Sequence, residues 1–436
     1  MSLRPFGLVL TAAALCTPMI WWPQIAAGRD VIALFSQYLG IWALIAMALL
    51  QVIATRWPGV EAIFGGLDRG YILHKWLGIG AMAAILLHDT IDAEMDGLGR
   101  ETALVEVAET LGEISLYGIL ILVVITIATF IPYHLWRWTH RLMGFFFMAG
   151  AFHYLFILKP FANGDPLGLY TSAFCALGIV AFVYRLLPAS MRASKRYTVT
   201  EISETGNALA ITMAPKSRAL KHKAGQFAFL SIEGAEPHPF TISSAPREDG
   251  SLRMTVAKLG DYTNRLAHRL NTGTEVKLEG PFGHFERRNT KDPEVWIAAG
   301  VGITPFLAWS EALDPTSGPV HLVYCIRDEA SAAHLSEVTA LANAKPNLTL
   351  HIQNSAKDGR ASADSILAKT GVSTERLTVA FCGPKPMRVA LLEGFRRAGV
   401  SGGRFKFEEF EIRTGIGLRR LAAFLFERVV APKRNA

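Results

Sequence analysis

A chain of 436 residues is too long for one compact core and divides naturally into two or three domains. It is 51% hydrophobic with a formal net charge of +7, and its long apolar runs fall in the first 190 residues or so. The four cysteines, Cys16, Cys175, Cys325 and Cys382, form no C-x-x-C pair, which argues against a disulfide framework or an iron–sulfur cluster. No basic-aromatic stripe supports nucleic-acid binding.

Six apolar stretches run over residues 5–22, 31–53, 72–88, 114–131, 141–158 and 167–187. Each is about 17–23 residues, enough to cross ~30 Å of hydrocarbon at 1.5 Å per residue. Arg4 ahead of Ala12-Ala13-Ala14 has the look of a cleaved signal. No small-x-small site precedes Trp21-Trp22-Pro23, however, and five more stretches follow, so the first is read as a span. The joints on one side hold only Arg29, Arg100 and Lys159. Those on the other hold Arg4, Arg56, Arg69, Lys75, Arg137, Arg141, Arg185, Arg192, Lys195 and Arg196. The positive-inside bias places this second side, and the whole C-terminal half, in the cytoplasm, and a bacterial inner membrane is the expected location. The joint between the third and fourth spans is acidic: Asp92, Glu94, Asp96, Glu101, Glu106 and Glu109.

An imidazole is costly in lipid without a partner, so histidines in spans are functional candidates. His74 and His88 sit near the two ends of the third span, His140 and His153 near the ends of the fifth. Both spans cross in the same direction, so His74 is level with His140 near the cytoplasm and His88 with His153 near the outside. The separations of 14 and 13 residues correspond to about 21 and 20 Å of rise. Two stacked sites follow, with room in each for a large flat group, and bis-imidazole haem iron satisfies that geometry. Fourteen residues return an ideal helix to within about 40° of its starting face, but thirteen leave His153 about 140° from His140. A bulge, a local distortion or side-chain reach must make up the difference. Packing histidines or a proton path are the competing readings, and His134 beside Pro132 reads as interfacial.

After Pro188 come short alternating strands at 197–200, 209–212, 227–230, 252–256 and 275–278, predicting a small antiparallel barrel. From Glu294 strands alternate with helical runs, at 295–298, 321–325, 348–352 and 377–381, predicting a parallel sheet with crossover helices. The fold class is therefore mixed: a six-helix transmembrane bundle, then an antiparallel barrel, then an α/β domain. Gly300-Val301-Gly302-Ile303-Thr304-Pro305 follows the first parallel strand. Its glycines suit close approach of a pyrophosphate, and a purely structural turn is the alternative. The last of these strands ends in Cys382-Gly383-Pro384, at the sheet edge where ligands bind in open parallel sheets.

With these motifs in place, the chain resembles the ferric reductase and NADPH oxidase superfamily over about residues 35–412. The resemblance implies domains at 1–190 (di-haem membrane domain), 195–290 (FAD barrel) and 291–412 (NAD(P) domain), with a basic amphipathic tail at 413–436. It implies that His74 pairs with His140 and His88 with His153 to hold two b-type haems, the thirteen-residue separation being a property of the family. His238-Pro239-Phe240-Thr241-Ile242-Ser243-Ser244 resembles the flavin segment. Lys258-Leu259-Gly260-Asp261-Tyr262-Thr263 resembles the segment that holds the FAD pyrophosphate, and Pro281-Phe282-Gly283 closes the barrel. Gly300, Gly302, Thr304 and Pro305 fall in the nicotinamide dinucleotide turn. Cys382, Gly383 and Pro384 place nicotinamide against flavin, with Cys382 a positioning residue, and Phe410 is the aromatic cover of the flavin face.

The implied activity is transfer of electrons from cytoplasmic NAD(P)H through FAD and two haems to an acceptor outside. That acceptor is oxygen, giving superoxide, or a ferric chelate, or a periplasmic protein docked on the acidic joint. Oxygen takes the lead by resemblance, although the second span has no arginine between Val31 and Thr55 and Arg29 lies in a joint. Arg327 and Arg360 are candidates for a 2′-phosphate, which leans the donor toward NADPH, and Asp328 argues the other way. The tail either lies on the inner membrane surface or caps the soluble half.

Overall fold

The computed structural model describes residues 5–91, 98, 102–127, 131–187, 194–232, 237–258, 263, 266 and 269–408. The predictions on Gly260, Asp261, Tyr262, Phe410, Asp92, Glu94, Asp96, Glu101 and the tail from residue 413 lie outside this set. The described residues form two compact units that meet in sequence at Leu186–Leu187, and each is described by itself.

The first unit is helical. Helix α1 (Pro5–Cys16) runs through a 3-10 turn at Thr17–Trp21 into α2 (Trp22–Ala26). Asp30 caps α3 (Val31–Ala54), its Oδ1 accepting the Ala33 N–H at 2.8 Å. Then follow α4 (Pro58–Phe64), α5 (Leu67–Thr90), α6 (Ala103–Ile127), α7 (Tyr133–His140), α8 (Met143–Phe156) and α9 (Pro166–Leu186). Among the described residues five helical segments are long and apolar enough to cross a membrane: Pro5–Ala26, Val31–Ala54, Arg69–Thr90, Ala103–Ile127 and Pro166–Leu186.

The stretch expected to span at 141–158 departs from the sequence reading. It is the 14-residue α8, set off from α7 by a break at Arg141–Leu142. The break is a local overwinding. Arg141 N–H donates to the Trp138 carbonyl (3.2 Å), Leu142 to Thr139 (2.9 Å) and Phe145 to Leu142 (3.0 Å), all three residues back. Such links turn about 120° per residue instead of about 100°, so three of them recover roughly 60° of the angular shortfall between His140 and His153.

Helix α3 is central, packing on α5, α8 and α9, while α6 packs on α8. Ile45, Ala46 and Ala48 of α3 and Phe147 of α8 are fully buried. The outer surface is the inverse of a soluble protein's: Ile121 and Val124 on α6 are 60% and 58% exposed, and Trp76 on α5 is 63% exposed. An apolar belt of this kind is stable against lipid tails, and the helices satisfy their own backbone hydrogen bonds.

Close approach of α9 to α3 depends on Gly178, where a Cβ would lie 2.6 Å from the Phe147 ring and 2.9 Å from the Ala48 Cα. Gly178→Leu is expected to cost about 1–3 kcal/mol through overpacking. It should lower the thermal midpoint of the detergent-solubilised protein. Gly164→Ala, in open space on a loop, should leave that midpoint unchanged.

The second unit has two lobes. The first is an antiparallel sheet of β1 (Ser194–Thr205), β2 (Ala208–Pro215), β3 (Phe227–Ile232), β4 (His238–Thr241), β5 (Leu252–Ala257) and β6 (Glu275–Phe282). Its strand order is β4-β3-β6-β1-β2-β5, and its two edges meet through a bridge between Ile242 and Met254 that curls the sheet into a barrel. Alternate residues such as Tyr197, Ile211, Met213, Leu230 and Leu278 fill the interior.

The second lobe carries β7 (Glu294–Ala299), α10 (Thr304–Glu311), β8 (Val320–Ile326), α11 (Leu335–Ala344), β9 (Leu348–Asn354), α12 (Ala363–Thr370), β10 (Thr378–Cys382), α13 (Lys385–Arg397) and β11 (Phe405–Glu408). Its parallel order is β11-β10-β7-β8-β9, so β11 adds a strand beyond the four read from the sequence. From β7 the chain winds outward through β8 and β9, then returns to lay β10 on the other side of β7. The switch point therefore lies between the carboxyl ends of β7 and β10.

Candidate functional site

Two of the predicted segments meet at that switch point. Residues Gly300–Ile303 form a 3-10 turn leading directly into α10, with the Thr304 hydroxyl donating to the Val301 carbonyl at 3.0 Å and Pro305 in the first turn. Gly300 has φ +56° and nothing within 4 Å of where its Cβ would be, so backbone there is open to a ligand. Gly302 is different. A Cβ on it would lie 2.2 Å from the Cys382 carbonyl oxygen, so its lack of a side chain seats the Cys382-Gly383-Pro384 edge against the turn. Gly383 packs likewise on Ala299, 2.8 Å from a would-be Cβ.

Cys382 is buried, and burial, with the Glu408 carboxylate as a second cause, pushes its thiol well above the ordinary range. A protonated thiol shapes a site and does not attack. Glu408 ends β11 opposite Cys382 and lies 3.1 Å from a would-be Cβ on Gly283 of the barrel, so both lobes converge here. Phe407, one residue earlier, has the Arg388 guanidinium 4.2 Å from its ring centre. Arg327 follows β8 and Arg360 lies between β9 and α12, both exposed near the same edge of the sheet.

On the barrel, β4 holds His238, Pro239 and Phe240 half-buried and Thr241 buried, with Thr241 opposite Phe227 of β3. Ser243 and Ser244 are fully buried, and their hydroxyls are engaged within the fold: Ser243 Oγ lies 2.8 Å from Thr255 Oγ1, and Ser244 Oγ accepts the Arg253 N–H at 3.0 Å. The Lys258 ammonium pairs with Glu204 at 2.7 Å, and Thr263 is half-buried.

In the helical unit, the His74 and His140 rings face each other with centroids 6.2 Å apart and planes inclined by 56°. Two imidazoles sharing one metal at ~2 Å each put their ring centres ~6 Å apart, so the spacing suits a bis-histidine iron. On His88, His153 and His140 the Nδ1 atom is held by a neighbouring helix. His88 Nδ1 lies 2.9 Å from the Ser36 carbonyl and 2.9 Å from the Ser36 hydroxyl of α3. His153 Nδ1 lies 2.9 Å from the Ala108 carbonyl of α6. His140 Nδ1 is 3.4 Å from Thr126 Oγ1, while its ring stacks on Trp136 at 5.2 Å. His74 Nδ1 is buried without a hydrogen-bond partner among the described residues.

A carbonyl at Nδ1 fixes the tautomer that leaves Nε2 as the metal-binding nitrogen. One turn beyond each outer support stands a glycine. A Cβ on Gly40 would be 3.3 Å from His88 Nε2, and one on Gly112 would be 2.6 Å from His153 Nδ1. The donor set and the ring spacing of the inner pair suit haem, and the two glycines leave room for the outer imidazole rings.

The sequence reading missed a polar cluster that joins the two lobes of the second unit: Arg253, Thr255, Glu311, His334 and Glu337. Arg253 Nη2 reaches Glu337 Oε1 at 2.7 Å and Glu311 Oε1 at 3.5 Å. The other Glu311 oxygen accepts the Ala245 N–H at 2.7 Å. Burial alone would raise the Glu337 carboxyl, but hydrogen bonds from His334 and Arg253 outweigh it and hold it down to about 2. The i, i+3 spacing of His334 and Glu337 was the only trace of this cluster in the sequence.

Comparison with known proteins agrees with this division. The family described as ferric reductase like transmembrane component matches residues 39–151, the FAD-binding domain family residues 192–298, and the oxidoreductase NAD-binding domain family residues 296–391. The chain is 28% identical over 226 residues to the toluate 1,2-dioxygenase electron transfer component of Pseudomonas putida, covering 49% of this chain and 65% of that one. It is 30% identical over 202 residues to a flavohemoprotein of Pseudomonas putida, covering 44% and 52%. It is 29% identical over 226 residues to a superoxide-generating NADPH oxidase heavy chain of Dictyostelium discoideum, covering 44% and 42%. The matched region thus spans less than two thirds of each relative. Among solved structures, the Amycolatopsis cytochrome P450 reductase GcoB is 23% identical with a TM-score of 0.45, over 50% of this chain and 69% of that one. With a ferric-reductase-like membrane component, an FAD-binding domain and an NAD-binding domain in that order on one chain, the protein belongs to the ferric reductase and NADPH oxidase superfamily.

Proposed function

We propose that this membrane-spanning oxidoreductase carries electrons from cytoplasmic NAD(P)H, by way of FAD and two bis-histidine b-type haems, to oxygen on the outer side, giving superoxide. The observation that carries the reading is the facing pair of His74 and His140, 6.2 Å between ring centres, in a chain that also has flavin and nicotinamide domains. When bound, FAD would supply the exchange of a two-electron hydride for single electrons, and haem iron would accept them one at a time.

The chain's own residues bind, orient and insulate. Gly300 admits the dinucleotide phosphates at the start of the turn, and Gly302 seats the Cys382-Gly383-Pro384 edge that orients the nicotinamide. Arg327 and Arg360 are the candidates to meet a 2′-phosphate, which favours NADPH. His238 through Thr241 line the flavin, Lys258 and Thr263 border its pyrophosphate, and the aromatic cover falls to Phe410. His74 and His140 hold the inner haem, His88 and His153 the outer. The basic joints orient the nicotinamide side toward the cytoplasm of a bacterial inner membrane. The superoxide-generating relative supports oxygen as acceptor. The absence of arginine from Val31 to Thr55 favours a second reading, reduction of a ferric chelate, and the acidic joint a third, donation to a periplasmic protein.

The purified protein is expected to give a bis-histidine b-type spectrum with about two haems and one FAD per chain. His153→Ala should remove the outer haem and acceptor reduction while leaving dye reduction by NAD(P)H. Retention of full acceptor turnover without that haem would remove His153 from the path. In sealed vesicles with the dehydrogenase side outward, added NAD(P)H should reduce trapped cytochrome c in a manner abolished by superoxide dismutase. A signal that persists with the dismutase under nitrogen would favour the ferric reading, and reduction confined to the NAD(P)H side would exclude the haem path.

A second expectation concerns the nicotinamide edge. Gly302→Ala must displace the Cys382 carbonyl and should slow anaerobic flavin reduction by up to about 100-fold, since about 1 Å of misplacement costs that much. The haem spectra should not change. Stopped-flow rates equal to those of the unaltered protein would show that the edge does not position the nicotinamide.

A further inference from the structure

His334 is a non-glycine residue with φ +56°, and it is 4% exposed. Backbone in this region is unfavourable for a side-chain-bearing residue and persists where surrounding contacts hold it. Its main-chain N–H donates to Thr205 Oγ1 at 2.5 Å, at the end of β1. Its two ring nitrogens face opposite lobes: Nδ1 meets Glu337 Oε2 at 2.7 Å on α11, and Nε2 meets Thr255 Oγ1 at 2.9 Å on β5.

These contacts close a ring. Arg253 Nε donates to Ser243 Oγ at 3.3 Å, and Ser243 Oγ lies 2.8 Å from Thr255 Oγ1. Thr255 Oγ1 meets His334 Nε2, His334 Nδ1 meets Glu337 Oε2, and the second Glu337 oxygen accepts from Arg253 Nη2. With a neutral His334 protonated at Nδ1, every member donates in one consistent sense, from Arg253 through Ser243, Thr255 and His334 to Glu337. Arg253 closes the circuit as a donor on both sides and Glu337 as an acceptor on both. A circuit in which each bond polarises the next is stronger and stiffer than its separate pairs, and a break at any member leaves buried groups unpaired.

The ring's position gives it a role. Ser243 is two residues beyond Thr241, and its own N–H donates to the Arg253 carbonyl at 2.7 Å, where the barrel closes. The end of the flavin segment is thus bolted to β5, and β5 is bolted to the helix that follows β8 of the nucleotide lobe. We propose that Arg253, Thr255, His334 and Glu337 are positioning residues that hold the nucleotide lobe in register with the flavin segment for hydride transfer. None of them touches the reacting atoms. The inference rests on assigning residues 238–244 to the flavin.

The test uses the full-length protein in detergent, loaded with FAD, with anaerobic stopped-flow reduction by NADPH over a range of concentrations. Thr255→Val removes the hydroxyl at nearly constant shape, Thr255→Ser restores it, and His334→Gly removes the ring while suiting the backbone. Thr255→Val and His334→Gly are expected to lower the limiting rate of flavin reduction by about tenfold or more, with the apparent nucleotide dissociation constant changed by less than about twofold. Thr255→Ser should recover most of the rate, and dithionite should reduce all variants as fast as the unaltered protein. A full limiting rate in FAD-replete Thr255→Val or His334→Gly would overturn the proposal. So would loss of FAD as the only effect, which would make the ring a binding or stability element. An unaltered chain that binds no FAD would instead defeat the flavin assignment itself.

Discussion

An imidazole in the apolar interior of a bilayer is costly without partners, and this constraint shows in three of the four histidines of the helical half, His88, His140 and His153. The neighbouring helices supply one partner: carbonyls of Ser36 and Ala108 for the outer pair, and the Thr126 hydroxyl for His140. The remaining nitrogen of each ring is then available to a metal. α3 and α6 carry no histidine themselves, yet their carbonyls and hydroxyls hold the rings of the helices that do. This accounts for the close packing of α3 on α5 and of α6 on α8.

Much of the architecture was legible because its signals are long and periodic. Apolar runs of bilayer length and the change to alternating strands after Pro188 both survive into the fold. The break in the fifth apolar stretch was not legible as such. Arg141 and Leu142 keep right-handed helical backbone angles, and the overwinding changes hydrogen-bond spacing without changing hydropathy. Its trace was angular: thirteen residues between His140 and His153 do not return an ideal helix to one face, and the three short links reduce that mismatch. Four-residue β11 is not legible as a strand because a run so short carries little periodicity.

The site of the second unit divides the same way. Gly300 and Gly302 look equivalent in sequence, both being glycines of one turn. Structure separates them, since Gly300 has a positive φ and faces open space while Gly302 is pressed against the Cys382 carbonyl, eighty residues away in the chain. Ser243 and Ser244 read as part of the flavin segment, and the fold adds what the sequence did not show, their hydroxyls engaging Thr255 and the Arg253 backbone. The ring through His334 was out of reach because its members come from three distant segments, and no property of histidine in a sequence announces a left-handed backbone.

The two halves solve a common problem with a common device. Electron transfer needs groups held at short, fixed separations, and a fixed separation needs contacts that do not relax. In the helices glycine allows this: Gly112 lets the His153 ring lie against α6, and Gly178 lets α9 lie against α3. In the second unit Gly302 brings the carboxyl ends of β7 and β10 together. Each is a place where any side chain would meet backbone or a ring, so the spacing is enforced by excluded volume and cannot drift. Between the lobes, where strands of different sheets approach without a shared backbone ladder, glycine alone cannot hold them. There the protein uses a closed circuit of hydrogen bonds through a half-buried ion pair and three buried side chains, which is costly to break and therefore rigid.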